Sequence, residues 1–298
     1  MTGVQTCALP IYFLDGLADY THRGSYLLER NYREVEQVVR DLARELSQSR
    51  FIPTYFEQVF QDETAIHVVG RVAEGSLMGI VDRVDLFTTA GGKTYLRVVD
   101  YKTGRKDFDY TDILSGMGLQ MLIYLFALTR EAVRYYGREF EPAGVLYYPA
   151  RYDVEVTKGR VEPEEAEKQH RKKLRRKGLL LDDEEILQAM EPGTEPVYLP
   201  YKISKKSGER SGSLADSRQL DLVERHVRRT LGELADSLWS GTIAPDPFWR
   251  GEEHNACRWC PYREVCRVDS GEVPLRKLRA VSREEFWQTL EKEEQTYG

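Results

Sequence analysis

Asp82, Asp100 and Lys102 are the residues whose types and spacing could do chemistry. Each carboxylate lies in a run rich in β-branched residues, GIVDRVDLF and TYLRVVDYKT, and Lys102 follows Asp100 by two positions. Two carboxylates that converge repel, and one takes up a proton unless a divalent cation lies between them. Magnesium suits such a place, because it takes a few carboxylate oxygens and keeps its other positions for water and phosphate. A lysine beside it can hold or activate an attacking water and offset charge on a pentavalent phosphorus. D-x-K is short and common, so the pattern alone equally allows a structural Asp–Lys pair on an edge hairpin.

These residues need two strands to position them. The β-branched runs flank a turn at Ala90, Gly91 and Gly92, which predicts a hairpin. A period of two puts Met78, Ile80, Asp82, Val84 and Leu86 on one face, with Asp85 pointing the other way. Leu96, Val98, Asp100 and Lys102 share a face of the second strand. YFEQVF and AIHVVG read as earlier strands. Glu57 in the first is a weaker further metal ligand, and His67 in the second reads as a core histidine. Gly118–Tyr136 reads as an apolar helix with Leu119, Leu122, Ile123 and Leu125 inward, while Gln120 and Tyr124 form an i, i+4 pair on one stripe. AGVLYYP follows as a buried strand. Two amphipathic helices are predicted to supply core. The first, from Ser25 to Ser47, uses Leu28, Tyr32, Val35, Val39, Leu42 and Leu46. The second, from Leu220 to Trp239, uses Val223, Val227, Leu231, Leu234 and Leu238.

GIVDRVD, VVDYKTG and GLQMLIYLFAL, in that order, resemble the core of the PD-(D/E)XK nucleases of RecB type. The likeness is greatest to the C-terminal nuclease domain of AddB, a component of the bacterial AddAB helicase-nuclease, and it extends from about residue 24 through AGVLYYP, KGLLL and CRWCPYREVC. The resemblance implies an α/β fold, with a mixed central sheet flanked by helices and a C-terminal cysteine cluster. It places Asp82 and Asp100 on the metal-binding acids, with the Tyr101 backbone carbonyl as a further ligand, Lys102 on the catalytic lysine, and Gln120 and Tyr124 on a Q-x-x-x-Y helix near DNA. It further implies Mg2+-dependent exonucleolytic hydrolysis of single-stranded DNA, a deoxyribonuclease activity. The partner would be an AddA-type helicase-nuclease subunit, and the process double-strand break repair by homologous recombination in the bacterial cytoplasm. No G-x-x-x-x-G-K-[ST] phosphate loop occurs in the sequence, so no ATP motor is expected here.

Cys257, Cys260 and Cys266 form C-x2-C-x5-C, a spacing that can bring three thiolates round one centre. By resemblance they are ligands of a [4Fe-4S] cluster whose fourth thiolate comes from the N-terminal side, where Cys7 matches the expected position only loosely. The competing reading adds His254 to make a Cys3His zinc site. The family's metal-binding histidine has no match beyond His22, which reads as a lone surface residue.

HRKKLRRKG, starting at His170, could guide a DNA strand or form a solvated face paired with the acids that follow, and KISKKSGERSG reads as a flexible loop. The expected division is 1–11 as an artefactual or disordered leader, 12–50 as a helical segment and 51–150 as the nuclease core. Residues 151–216 would be a charged insertion and 217–298 the C-terminal helix and cysteine segment, all within one nuclease domain. A chain of 298 residues with 41% hydrophobic and 31% charged residues has ample core, and a net charge of −6 argues against a free-standing nucleic-acid sponge. No apolar run reaches the roughly 20 residues of a membrane span. The alternative function is a DNA-binding or scaffold module that has lost turnover and is held together by zinc or iron-sulfur.

Overall fold

The structure is a computed structural model that describes residues 22–104, 106–150, 162 and 173–297. Helix α1 (His22–Gln48) leads into β1 (Ile52–Phe60), a short ribbon of β2 (Ile66–Val69) and β3 (Glu74–Leu77), and the hairpin β4 (Gly79–Thr88) and β5 (Thr94–Lys102). Three helices follow, α2 (Tyr110–Leu114), α3 (Gln120–Arg130) and α4 (Ala132–Tyr136), before β6 (Glu141–Pro149), β7 (Lys177–Leu181) and α5 (Glu184–Met190). The small hairpin β8 (Tyr201–Ile203) and β9 (Arg210–Gly212) precedes β10 (Leu214–Ala215) and α6 (Ser217–Trp239). The chain ends with β11 (Phe248–Trp249), α7 (Arg263–Cys266), β12 (Arg276–Lys277) and α8 (Arg283–Tyr297).

One mixed sheet organises the fold, in the order β1-β4-β5-β6-β7-β10. Strands β1, β4 and β5 are antiparallel neighbours, whereas β5 and β6 run parallel. A parallel step needs a crossover, and α2, α3 and α4 provide it. The hairpin turn forms where the glycines predict, with Gly92 at φ 85° and its N–H bonded to the Thr89 carbonyl at 3.0 Å. Alternation puts Val84, Leu86, Leu96 and Val98 on one face, all buried, and α3 lays Leu122 and Leu125 into the same core.

Six expectations change. In α1 the first part of the apolar stripe faces outward, with Tyr32 71% and Val35 58% exposed; Leu42 packs on the core as expected, but the fully buried residues are Asp41 and Glu45. The reason lies across the interface: Arg176, in the basic run, is buried and needs a counter-charge, and Glu45 supplies it at 2.7 Å. Arg176 is therefore neither a DNA guide nor a solvated face. His67 is exposed rather than core, because β2 pairs only with β3 and alternation turns Val68, not His67, inward. KISKKSGERSG forms the β8–β9 hairpin, registered from Tyr201 with Gly212 to Ile203 with Arg210. The Gly118–Tyr136 helix breaks at Glu131, where the Thr129 hydroxyl has already bonded the Leu125 and Phe126 carbonyls. The end of α6 meets the β2–β3 turn through Asp236, which accepts the Arg71, Val72 and Ala73 N–H groups, and this turns Leu234 and Leu238 outward, although Val223 and Val227 are buried as expected.

Candidate active site

The sheet forks at the two acids. The β4–β5 ladder ends at Arg83 paired with Val99. Before that point β4 pairs only with β1, back to Gly79, and beyond it β5 pairs only with β6, out to Lys102 opposite Pro149. Asp82 and Asp100 stand on the two branches immediately past the last shared pair. The Asp82 carboxylate accepts the Tyr101 N–H at 2.8 Å, a backbone donor that the fork leaves without a strand partner on β4. This bond holds Asp82 beside β5. The Tyr101 carbonyl, the expected third oxygen, belongs to the same freed stretch.

Asp100 is buried, Asp82 and Lys102 are half-buried, and Lys102 Nζ lies 2.6 Å from Asp100 Oδ2. Burial pushes the Asp100 carboxyl above its usual value; the Lys102 ammonium pulls it back, the Asp82 charge raises it further and the Lys106 charge lowers it. The Lys102 contact is an ion pair without hydrogen-bond angles, so buried Oδ2 lacks a directional partner. Tyr147 stands opposite Asp100 on β6, and burial, then Asp100 and Asp112, push its phenol up to about 12. It stays neutral at ordinary pH. No local pattern points to Tyr147, because parallel pairing across a long crossover brings it in.

Two acids and a lysine at an open fork, beneath a helix from the crossover, constitute the geometry. Residues 14–267 match the PD-(D/E)XK nuclease superfamily. The chain belongs to it. The chain is also similar to an ATP-dependent helicase/deoxyribonuclease component of Thermoanaerobacter sp. (strain X514), 31% identical over 94% of this chain and 25% of that protein. The same-named protein of Desulforudis audaxviator is 33% identical over 90% of this chain and 24% of its own length. The chain thus spans about a quarter of the length of the curated relatives it matches.

Nucleases of this superfamily generally use a divalent metal such as Mg2+. The fork suits one: its donors are hard carboxylate oxygens, and Asp100 Oδ2 meets Lys102 only as an ion pair, without a directional hydrogen bond. Among the described residues no group of three or more His, Cys, Asp or Glu is arranged to hold a metal ion. Few protein ligands with the rest from water and phosphate is the habit of magnesium. Glu57 is exposed, at a left-handed φ of 47°, and the pairs on either side of it, Phe56 with Arg83 and Gln58 with Val81, set it across from Asp82.

The superfamily helix α3 begins at Gln120, which is exposed and donates from Nε2 to the Tyr124 hydroxyl at 3.3 Å. Tyr124 is buried against Phe60, with ring centroids 5.8 Å apart. Its hydroxyl rests on Gly79, where a Cβ would come within 2.2 Å, so only glycine fits at the start of the strand that carries Asp82. The helix and the Asp82 strand are thereby locked in register.

Cys257, Cys260 and Cys266 are free thiols. Burial, then the two other cysteines, push the Cys257 thiol up, yet the three are not gathered as a metal-holding group. Cys7 lies outside the described residues, and His254 completes no described metal group. Three thiols alone do not close a site, so no chemistry is derived from a cluster. The cysteine segment is tied to the crossover instead by Arg250, whose Nη1 donates to Asp109 and Asp112 at 2.9 Å each. Burial opposes ionisation of Asp109, yet Arg250 and the Thr111 N–H outweigh it and hold the carboxyl below its usual value.

Proposed function

We propose that this chain is a magnesium-dependent deoxyribonuclease domain that hydrolyses phosphodiester bonds of single-stranded DNA exonucleolytically. The observation that carries the reading is the fork: Asp82 and Asp100 meet with Lys102 where the strand ladder parts. Magnesium bound by Asp82, Asp100 and the Tyr101 carbonyl would supply Lewis acidity and an acidified water. Glu57 is a weaker contributor to that set. Lys102, steadied by Asp100, hydrogen-bonds the attacking water and offsets negative charge as phosphorus becomes pentavalent. Tyr147 cannot serve as a base near neutral pH, which leaves proton handling to Lys102 and water. Gln120, exposed at the start of α3 and bonded to the Tyr124 hydroxyl, orients the strand.

The similarity to these helicase/deoxyribonuclease proteins supports placing the domain in an AddAB-type complex of the bacterial cytoplasm. There an AddA-type helicase-nuclease partner feeds it unwound DNA during recombinational repair of double-strand breaks. By the same resemblance Cys257, Cys260 and Cys266 hold a [4Fe-4S] cluster, or zinc with His254, as a brace with no part in hydrolysis.

The test is degradation of end-labelled single-stranded DNA with magnesium, with EDTA, and with Asp100→Ala. Cutting lost in both controls supports the reading. DNA binding by folded protein that never cuts would instead favour the scaffold alternative.

A further inference from the structure

Three lysines stand near the fork, and their charges are spent differently. Lys102 is paired with Asp100 at 2.6 Å and Lys177 with Asp107 at 2.9 Å. Lys106 has no acidic oxygen within ion-pair distance among the described residues, and it is exposed. Its Nζ lies 3.7 Å from where a Cβ of Gly118 would stand, two residues before Gln120. Its charge also reaches Asp100. Lys106, Gln120 and the Tyr124 hydroxyl therefore follow one another along the rim that leads from the start of α3 to Gly79, the first residue of the Asp82 strand.

We infer that Lys106 is a phosphate-holding residue of the DNA track, taking a backbone phosphate next to the one being cleaved. The inference rests on the nuclease reading and deepens it. An uncompensated ammonium at the rim of an acidic protein attracts a strand's phosphates, whereas the paired charge of Lys102 serves the reacting one. Lys106 touches neither metal nor water in this scheme; it positions the strand. Because the contact is with phosphate, it is indifferent to base sequence.

The experiment uses the full chain in EDTA, so that nothing is cut, and follows binding of a fluorescent single-stranded oligonucleotide by anisotropy across a salt series. Lys106→Ala is expected to weaken binding by about three- to tenfold and to reduce the slope of log affinity against log salt by about 0.7, the loss of one phosphate contact on a single strand. Lys106→Arg should restore the slope. Lys292→Ala, an exposed lysine on α8 that removes the same charge elsewhere, should leave it as in wild type. A slope for Lys106→Ala equal to wild type, with wild type binding and cutting normally in magnesium, overturns the Lys106 assignment and leaves the nuclease reading standing. Wild-type protein that neither binds nor cuts overturns both.

Discussion

The β4–β5 hairpin carries two clusters of opposite charge on its two faces. In the first, Asp85 lies between Arg83 and Arg97, each presenting Nε at 2.9 Å, with all three side chains essentially sealed from water. Arg83 also donates to the Tyr101 hydroxyl at 2.6 Å, and Arg97 sits over the Phe51 ring. In the second, Asp82, Asp100 and Lys102 use the same two strands, but Lys102 keeps a third of its side chain exposed. What separates them is place along the ladder. Asp85 pairs with Arg97 well inside it, whereas Asp82 and Asp100 lie just past its last pair. Inside the ladder every direction is covered by protein, so no ligand can reach the cluster, although both terminal nitrogens of Arg97 lack a hydrogen-bond partner. At the fork one direction stays open, so a buried carboxylate can be left for a ligand to complete. Unsatisfied buried charge occurs on both faces, so it is the opening at the fork that separates them.

Removing the anion from the closed cluster should have the largest effect on the fold. Asp85→Ala strands two buried arginines and is expected to cost about 3–5 kcal/mol in urea unfolding; a loss under about 1 kcal/mol would remove the contrast between the faces. Asp100→Asn should do the reverse, abolishing magnesium-dependent cutting while stabilising the metal-free protein. The raised carboxyl of Asp100 means that the folded state binds the extra proton, so ionisation costs stability. Wild type and variant should thus unfold alike at low pH, and the variant's advantage should grow as pH rises above the ordinary value of 3.8 and level off past the raised value. A variant no more stable at neutral pH than wild type would contradict this. Lys102→Ala should slow single-turnover cutting by about 10²–10³-fold, the size of one lost charge-stabilising donor, and lower the unfolding midpoint at neutral pH, because buried Asp100 loses the cation that offsets its ionisation. The smallest effect belongs to Gln120→Ala, which is exposed: stability within about 0.5 kcal/mol of wild type, and a several-fold loss of cutting that shows in the kinetics of strand degradation.

Much of this was legible beforehand for a physical reason. Strand alternation and a glycine turn are local, so the hairpin, its two faces and the apolar helix after it follow from residue order. The spacing of Asp82, Asp100 and Lys102 pointed to two strands without revealing that the ladder between them parts at those residues. The α1 stripe shows where such reading stops. Its heptad-like spacing is real, yet Tyr32 and Val35 face outward because Glu45, on the other side, answers an arginine more than a hundred residues away.

Residue order by itself determined the β4–β5 hairpin, the face on which each acid lies and the types of group available for metal and phosphate. These depend on backbone periods and side-chain chemistry, which need no distant contact. The tertiary structure alone decided that β5 leaves β4 after Val99, that Tyr147 stands beside Asp100, and that Arg176 is interior while Lys106 meets the rim of α3. Each of those is a pairing between segments far apart in the chain. Which charge is compensated, and which is left for a ligand, depends on that pairing.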